Sequence, residues 1–378
     1  MRILIATETA GGGHLAAAAA LEEAWRALRP SDTVERVDLV KFFSPLHRKI
    51  HADGYARLVQ RAPELWGMIF TKTDDPEVAR RLNRIKGLFP SLARKRFEKF
   101  VTDFNPDVVL CTHYEPVDAL NEMRRERKTK KPFVVSVVTD FEAHALWMDA
   151  DVDLYCVAAE ETKARLIARG AADGNAVVTG IPIGAKFATK VDVAVRKAMG
   201  LRDDLPTLLV LSGGFGMGPV GKILGGLDKV KHQFQTVVVC GRNEELRREL
   251  GAQDRKHPTR VLGFASNMHE LMTVADLILT KPGGLTSSEA LALGKPLFIL
   301  DPIPGQEAAN SDFLLERGAA VKVNRVEDLP FRIEQLVGSK KLGEMASAAK
   351  ALGRLKSAEA VCKEVLARVR SGVERLPK

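Results

Sequence analysis

Residues 1–25 read MRILIATETAGGGHLAAAAALEEAW, and this stretch decides the fold class. A short apolar run from Ile3 to Ala6 is followed by three glycines and His14, and then by a segment rich in alanine and leucine. The pattern predicts a strand, a glycine turn and a helix. Glycines in such a turn let a ligand approach the backbone closely, and the N-terminus of the next helix attracts an anion. His14 adds a side chain that can accept a proton at this position.

Apolar runs alternate with helical segments along the rest of the chain. They read DVVLC, PFVVSVVTD and DLYCVAA in the first half, and TLLVLSGG, QTVVVCG, ADLILTKPGG and KPLFILDP in the second. Continuous apolar strands between helices indicate parallel sheets that are covered on both faces. Gly180, Pro182 and Gly184 interrupt the first series, and a strand at Thr207 opens the second.

We therefore predict an α/β chain built from two similar domains. The N-terminal domain covers residues 1–185 and the C-terminal domain covers residues 200–350. Residues 355–378 have apolar positions at helical spacing with no strand after them, and they are expected to form a closing helix.

Composition and charge narrow the class of protein. The 378 residues are 46% hydrophobic and 28% charged, which is typical of a globular protein. No stretch approaches the roughly 20 apolar residues that span a bilayer, and the first residues lack the pattern of a signal peptide, so we expect a cytoplasmic location. The formal net charge of +9 favours an anionic partner: nucleic acid, nucleotide or an acidic membrane surface. The four cysteines are far apart and predict neither a disulfide framework nor a zinc site.

A glycine pattern in the second half leaves one alternative open. Residues 216–221, GMGPVG, fit the dinucleotide fingerprint, and with Lys222 they approach a P-loop. Ile223 replaces the hydroxyl residue that binds magnesium in a P-loop. The next strand ends in Arg242 rather than in an acidic residue, and an arginine suits a 2′-phosphate. An NADP-binding α/β enzyme is therefore an alternative.

Residues 279–310, LTKPGGLTSSEALALGKPLFILDPIPGQEAAN, are the most informative segment. A strand ends at Thr280, two glycines turn the chain, and hydroxyl residues open a helix with Glu289 in its first turn. Such a helix start binds an anion, whereas a carboxylate suits ribose hydroxyls. The loop after the next strand adds Gln306 and Glu307. Together these groups predict a nucleotide-sugar site.

Several motifs, in this order and at these intervals, resemble those of the inverting GT-B glycosyltransferases. The similar enzymes include plant monogalactosyldiacylglycerol synthase and the bacterial processive diacylglycerol glucosyltransferases, and the resemblance covers nearly the whole chain. The motifs are GGGH, THYEPVDAL, VVTDFEAHALWMDADVDLYCVAAEETKARLIARG, VTGIPI, LSGGFG, GFASNMHELMTVADLILTKPGGLTSSEALALGKP and GQEAAN.

The resemblance implies two Rossmann-like domains whose parallel sheets face an interdomain cleft. It further implies that a UDP-sugar binds mainly to the C-terminal domain and that the acceptor binds mainly to the N-terminal domain. The implied reaction moves a hexose to a lipid acceptor such as diacylglycerol and makes a membrane glycolipid. A non-catalytic protein that binds a UDP-sugar is the second alternative.

The resemblance also implies roles for individual residues. Phe264 and Met268 are expected to contact the uracil, Glu289 the ribose, and Gln306 with Glu307 the donor sugar. The diphosphate is expected on the loops and the helix start that contain Gly213, Gly214, Gly283, Gly284 and Ser287. Arg242, which follows the strand after the first glycine loop, is a further nucleotide-side candidate from the sequence itself. The expected acceptor side consists of Gly12, Gly13, His113, His144 and Trp147.

Attack of an acceptor hydroxyl on the anomeric carbon needs a base and compensation of charge on the leaving diphosphate. The resemblance makes His14 the candidate base, since an imidazole with a pKa of about 6.5 is largely neutral at working pH. Asp140 is the rival base. The helix start near Thr286 and the glycine loops can compensate the charge, so we expect no metal and no cofactor beyond the UDP-sugar substrate. The hexose, the acceptor lipid and the oligomeric state stay open.

A long insertion at about residues 41–105 has the composition of a membrane-surface segment. It contains the apolar residues 68–70 and the basic run ARRLNRIKGLFPSLARKRFEKF at residues 79–100, in which Glu98 is the one acidic residue. Cations interleaved with apolar residues at helical spacing predict a pair of interfacial helices on anionic lipid. A solvated basic face over an ordinary core helix is the alternative. We therefore expect a peripheral location on the inner face of the membrane and no nucleic-acid partner. His47 and His51, four residues apart, are more typical of a solvated basic face than of a metal site.

Overall fold

The structure is a computed structural model that describes residues 1–9, 12–45, 48, 62–79, 81–82, 92–125, 132–148, 151–191, 194–212, 219–300 and 302–373. The chain forms two compact units. Unit 1 consists of Met1–Ala185, Pro304–Gln306 and Lys356–Lys378, and unit 2 consists of Lys186–Ile303 and Glu307–Leu355. Each unit contains one parallel sheet with helices around it.

The elements of unit 1 alternate between strands and helices. Its described strands are Arg2–Thr7 (β1), Thr33–Asp38 (β2), Val108–Cys111 (β3), Phe133–Val137 (β4), Leu154–Val157 (β5) and Ala176–Val178 (β6). Its described helices are Gly12–Leu28 (α1), Pro63–Thr73 (α2), Leu92–Phe104 (α3), Tyr114–Arg125 (α4), Glu160–Ala168 (α5) and a C-terminal helix Ser357–Val373. Short 3₁₀ turns lie at Leu39–Phe42, Ala145–Trp147 and Asp173–Asn175.

The sheet of unit 1 has the strand order β2-β1-β3-β4-β5-β6, and all its pairs are parallel. Alternate residues of β1 enter the apolar clusters on opposite faces of the sheet, Ile3 and Ile5 on one and Leu4 on the other. A strand that is buried on both faces needs apolar side chains at every position, which is why these strands read as continuous apolar runs.

Unit 2 repeats this arrangement. Its described strands are Thr207–Leu211 (β7), Gln235–Val239 (β8), Thr259–Leu262 (β9), Leu277–Thr280 (β10), Leu297–Leu300 (β11) and Ala320–Val323 (β12). Its described helices are Ala194–Ala198 (α6), Val220–Leu227 (α7), Glu244–Gly251 (α8), Met268–Val274 (α9), Gly284–Ala292 (α10), Gln306–Glu316 (α11, with Gln306 itself in unit 1), Leu329–Leu336 (α12) and Lys340–Leu352 (α13). We number the C-terminal helix Ser357–Val373 of unit 1 as α14.

The sheet of unit 2 has the strand order β12-β11-β10-β7-β8-β9, again with parallel pairs. Phe234 and Phe298 are fully buried in its core. The predicted strand end at Thr280 and strand start at Thr207 are both confirmed. None of the helices in the described part of the chain has both the length and the apolar composition needed to cross a bilayer.

Two local predictions need correction. The chain is already helical at Gly12 and at Gly284, so these glycines belong to the first turns of α1 and α10 rather than to the turns before them. Gly11 lies outside the described residues.

The basic run of the insertion is the second correction. Helix α3 buries Phe97 and Val101 in the core of unit 1, so it is not an interfacial helix with a free apolar face. Arg94 is paired with Glu98 at 3.3 Å and with Glu122 at 2.5 Å, and its side chain is 11% exposed. The positive charge of Arg94 is therefore paired with carboxylates of the protein itself. Residues 83–91 of this run, and His47 and His51, lie outside the described residues.

Helix α14 supplies part of the core of unit 1. Val361 is fully buried in one apolar cluster with Leu21 and Trp25 of α1. The closing segment therefore covers one face of the N-terminal sheet, although it lies at the other end of the sequence.

We predict that Val361→Ala lowers the free energy of unfolding of unit 1 by about 1–3 kcal/mol, because it leaves a cavity beside α1. Hydrogen exchange of α1 amides should quicken in the variant. Lys363→Ala is the matched control, since Lys363 lies on the same helix with 62% of its side chain exposed. Equal exchange rates in the two variants would contradict the packing role of α14.

Candidate functional site

The order of strands in unit 1 defines where a ligand can bind. The chain passes from β1 to β2 on one side and returns to β3 on the other side of β1. Ligands of open α/β sheets bind outside the carboxyl ends of the strands at such a reversal. His14 in the first turn of α1 follows β1, and His113 follows β3. Both predicted residues therefore belong to this edge of the sheet.

The His14 ring is held by the ends of two strands. Its Nδ1 lies 2.9 Å from the carbonyl oxygen of Thr112 and 2.8 Å from the hydroxyl oxygen of Thr139. A carbonyl oxygen only accepts hydrogen bonds, so the network assigns the proton to Nδ1. The lone pair of the neutral ring is then on Nε2.

The charge state of His14 follows from its surroundings. Burial lowers the pKa of His14 below the ordinary 6.5, although the charge of Asp140 and the bond to Thr112 act in the opposite direction. A histidine with a lowered pKa is neutral at pH 7 and can accept a proton through Nε2. Asp140, half-buried just after β4, lies close enough for its charge to act on this ring.

Aromatic side chains surround the two imidazoles. The centroids of His14 and His113 are 4.9 Å apart with the rings nearly perpendicular, and Trp147 lies 6.4 Å from His14 and 6.3 Å from His113. Tyr114 stacks on His113 at 4.2 Å. The structure therefore brings together four residues predicted on the catalytic and acceptor sides: His14, His113, Asp140 and Trp147. A Cβ added at Gly12, in the same turn as His14, would meet no described atom within 4 Å apart from its chain neighbours and the backbone of its own helix.

Sequence reasoning missed the buried acid of this group. The Glu8 carboxylate lies 3.4 Å from His113 Nδ1, and the two side chains are only 5% and 6% exposed. The backbone N–H of Glu115 also donates to His113 Nδ1. Glu8, Thr112 and Thr139 all closely follow strands, so the position after each strand end was the signal that could have found them.

His144 has a different surrounding from the one expected of an acceptor contact. Its Nε2 donates to the carbonyl oxygen of Phe70 at 2.9 Å, and its Nδ1 accepts from the N–H of Leu146 at 3.1 Å. The Nε2 contact joins the loop after β4 to α2, and the Nδ1 contact caps the short turn Ala145–Trp147 within that loop. The contacts make His144 part of the support of the site.

The same reversal occurs in unit 2, between β7 and β10. The chain runs outward from β7 to β9 and returns to β10 on the other side of β7. The segments after these two strands contain the four predicted diphosphate glycines. Gly213 and Gly214 follow β7 and lie outside the described residues, whereas Gly283 and Gly284 follow β10.

The N-terminus of α10 has the features of an anion site. Gly283 is its N-cap with φ −63° and ψ 141°, a conformation that any residue adopts, and no described protein atom lies within 4 Å of the position of a Cβ there. Neither backbone strain nor packing against the described residues requires a glycine at this position. Ser287 is fully buried, and its hydroxyl has no hydrogen-bond partner in the described part of the chain. The first N–H groups of a helix also lack partners within the helix.

Glu289 was predicted in the first turn of α10, but the helix begins at Gly284, so Glu289 is its sixth residue and lies in the second turn. Burial raises its pKa to about 8, and the charge of Lys186 acts against this rise. Lys186 also donates to the carbonyl oxygen of Ser266 at 3.2 Å, in the loop between Phe264 and Met268. Lys186 was not predicted. It lies between the loop that is expected to contact the uracil and the Glu289 carboxylate that is expected to contact the ribose.

The remaining donor-side candidates are at the surface of this region. Phe264 is 67% exposed, and the Arg242 guanidinium lies 5.8 Å from its ring centroid. Met268 begins α9 and is half-buried. Glu307 accepts from the N–H of Ile303 at 2.8 Å and so orders the loop before α11.

Gln306 belongs to unit 1, where its side-chain oxygen lies 3.3 Å from Trp66 Nε1. Among the described residues, no group of three His, Cys, Asp or Glu side chains is arranged to hold a metal ion. The four cysteines are all buried.

Each half of the chain matches a known family of glycosyltransferases. Residues 14–183 match the family described as monogalactosyldiacylglycerol (MGDG) synthase, and residues 220–364 match the glycosyltransferase family 28 C-terminal domain. The processive diacylglycerol β-glucosyltransferase of Bacillus licheniformis is 31% identical over 369 residues, covering 96% of this chain and 94% of the relative. The enzyme of the same name from Bacillus subtilis is 30% identical over 371 residues, covering 97% and 94%.

Solved structures with the same fold include MurG of Acinetobacter baumannii, with a TM-score of 0.63, 17% identity and coverage of 97% of this chain and 100% of that one. The S. aureus MnaA–UDP structure has a TM-score of 0.63, 14% identity and coverage of 98% and 97%. Anabaena HepE with UDP-glucose has a TM-score of 0.57, 14% identity and coverage of 97% and 100%. The predicted fold class, GT-B with two Rossmann-like domains, is confirmed.

The raised pKa of Glu289 leads to a prediction about stability. Between its ordinary pKa of 4.5 and about 8, the unfolded chain loses a proton that the folded chain keeps, so this group lowers the free energy of unfolding as pH rises. Glu289→Gln removes the effect. We expect the variant to have a higher thermal midpoint than the unsubstituted protein at pH 8, with a difference that disappears near pH 4. Glu327→Gln, at an exposed position, is the control. Parallel pH curves for the Glu289 variant and the unsubstituted protein would contradict the prediction.

Proposed function

Because the chain belongs to the glycosyltransferase family that includes the processive diacylglycerol β-glucosyltransferases, we propose that it transfers a hexose from a UDP-sugar to diacylglycerol or a similar membrane lipid. It is a hexosyltransferase of the glycolipid-synthase type, and the NADP-dependent and non-catalytic alternatives are not retained. The proposed chemistry rests on the groups found where the strand order reverses in each of the two sheets. One contains a neutral histidine and the other an open helix N-terminus.

In this proposal the donor is bound by unit 2. The uracil contacts Phe264 and Met268, and the ribose hydroxyls donate to Glu289. The diphosphate accepts hydrogen bonds from the first N–H groups of α10 and from Ser287. These N–H groups and the helix dipole compensate the charge that develops on UDP as it leaves. The MnaA and HepE structures, which have the same fold, contain UDP and UDP-glucose, and this supports a UDP-sugar as the donor.

Unit 1 supplies the base in the same proposal. Nε2 of His14 takes the proton from the acceptor hydroxyl as the hydroxyl oxygen attacks the anomeric carbon, and UDP leaves from the opposite side. A single displacement of this kind inverts the anomeric configuration. The charge of Asp140 stabilises the imidazolium that forms, which is a different role from accepting the proton itself.

We predict that His14→Ala reduces hexose transfer by roughly two to four orders of magnitude, because the reaction loses its general base. The increase in thermal midpoint on adding UDP should persist, since the donor contacts are in unit 2. The assay follows transfer from a panel of UDP-hexoses to diacylglycerol in vesicles. The control is His232→Ala, which removes a histidine that pairs with Glu334 at the surface of unit 2.

Full activity of the His14 variant would assign the base to Asp140 instead, and Asp140→Asn would then have the large effect. We expect transfer to persist in EDTA, because the charge compensation proposed above uses N–H groups of the chain. Complete loss of activity in EDTA, restored by magnesium, would overturn this part of the scheme.

The lipid acceptor requires a surface that meets the membrane, and we propose that α2 forms it. Leu65, Met68 and Ile69 lie on one side of this helix and are 49%, 57% and 39% exposed. Val78, Leu82 and Leu92 of the same insertion are also exposed. These exposed apolar groups, in one insertion with the exposed cations Lys72 and Arg81, have the composition of a peripheral membrane contact. In a cell this contact would place the protein on the inner face of the membrane.

We predict that the triple variant Leu65→Gln, Met68→Gln and Ile69→Gln floats with phosphatidylglycerol vesicles at least about tenfold less than the unsubstituted protein. A loss of about 1.4 kcal/mol of apolar burial is enough for this change. The response to UDP should stay the same. Phe331→Gln with Leu355→Gln, two exposed apolar positions of unit 2, is the control. Equal flotation of the triple variant and the unsubstituted protein would favour a soluble acceptor.

A further inference from the structure

Asp74 gathers four hydrogen bonds at the end of α2. It is the C-cap of this helix. Its carboxylate accepts from the N–H of Ala145 at 2.9 Å and from Arg165 Nη2 at 2.8 Å. Arg169 donates through Nη1 to one carboxylate oxygen at 2.7 Å and through Nη2 to the other at 2.6 Å. One side chain therefore joins α2, α5 and the loop after β4.

The group has the geometry of a strong ion pair. The Arg169 contact is bidentate, and the side chains of Arg169 and Asp74 are only 13% and 19% exposed. Burial raises the pKa of Asp74, but the bonds from Arg169 and from the Ala145 N–H outweigh it and hold the pKa below the ordinary 3.8. The carboxylate is therefore ionised at every working pH.

A second set of contacts acts on the same turn of α2. His144 donates to the carbonyl oxygen of Phe70, and the two rings lie 4.3 Å apart. Arg169 Nη1 also donates to the carbonyl oxygen of Ala143 at 2.9 Å. Ala143, His144 and Ala145, which make these contacts, lie in the loop between Asp140 and Trp147. The direction of α2 is thus fixed relative to the proposed acceptor side of the site.

We propose that Asp74 is a positioning residue for the lipid acceptor, a role that rests on the proposed function. Helix α2 presents Leu65, Met68 and Ile69 on its outer side, and Asp74 fixes its last turn to the loop of Asp140 and Trp147. A lipid that contacts the outer side of α2 is then held at a constant place relative to His14. The carboxylate acts through the helix and does not contact the reacting atoms.

The test is Asp74→Asn in the full chain, which keeps the shape of the side chain and removes its charge. The KM for diacylglycerol in phosphatidylglycerol vesicles should rise about tenfold, whereas the KM for the UDP-sugar and kcat at saturation should stay within about twofold. Amide exchange in residues 63–73 should quicken. Asp74→Glu, which restores the charge, should recover most of the acceptor KM.

Asp173→Asn is the matched control, because Asp173 also pairs with a cation of α5, Lys163, but is 76% exposed. It should leave both KM values unchanged.

An unchanged acceptor KM in Asp74→Asn, with or without a lower thermal midpoint, would overturn the proposal, and so would an equal rise of both KM values. If Asp74→Asn does not fold, Arg169→Gln removes the bidentate donor instead, and the same comparison of the two KM values decides. Failure of the unsubstituted protein to use diacylglycerol would count against the proposed function, whereas an active unsubstituted protein with an unchanged Asp74 variant would count against the positioning role alone.

Discussion

The hydrogen bond between His14 Nδ1 and the carbonyl oxygen of Thr112 depends on the parallel pairing of β1 with β3. The pairing places Ala6 opposite Cys111, so the residues after both strands meet at one edge although about 100 residues of chain separate them. The same rule governs unit 2, where pairing of β7 with β10 sets the position of the α10 N-terminus. Because parallel strands all end at one edge, and the helices that follow them begin there, each sheet collects unpaired N–H groups and polar side chains at a single place.

Two carboxylates, Asp74 and Glu289, show how the surroundings of a charged group differ between the supporting parts of the fold and the edge where the strands end. Asp74 receives four hydrogen bonds from cations and a backbone N–H, and its pKa lies below the ordinary value. For Glu289, burial raises the pKa to about 8, and the charge of Lys186 offsets only part of that rise. The first carboxylate stabilises the fold, whereas the second is costly to ionise until a ligand donates hydrogen bonds to it. A buried group that is costly to ionise gains the most from a ligand that donates to it.

The sequence predicted the eight inner strands, their parallel arrangement and, to within a few residues, the starts of α1 and α10, because these depend on local composition and on periodicity. It did not predict the edge strands β2, β6, β9 and β12. It did not predict the partners of charged groups. Arg94 was expected at a membrane surface, yet one of its partners, Glu122, lies 28 residues further along the chain. Asp74 bonds to Arg169 across 95 residues, and Glu8 meets His113 only because their strands are neighbours. Such contacts depend on the three-dimensional neighbourhood, which a pattern of residue types along one segment does not contain.

The same geometry bears on which of the two candidate bases, His14 or Asp140, accepts the proton. With Nδ1–H bonded to Thr112, the ring can gain a proton only at Nε2, and gaining it leaves the existing bond in place. The charge of Asp140 already raises the pKa of His14 against the effect of burial, so it acts most strongly when the ring becomes positive. If Asp140 took the proton instead, its carboxyl group would become neutral. It could then no longer stabilise a positive charge on the His14 ring. The arrangement supports the proposal that His14 accepts the proton and that the charge of Asp140 stabilises the imidazolium that forms.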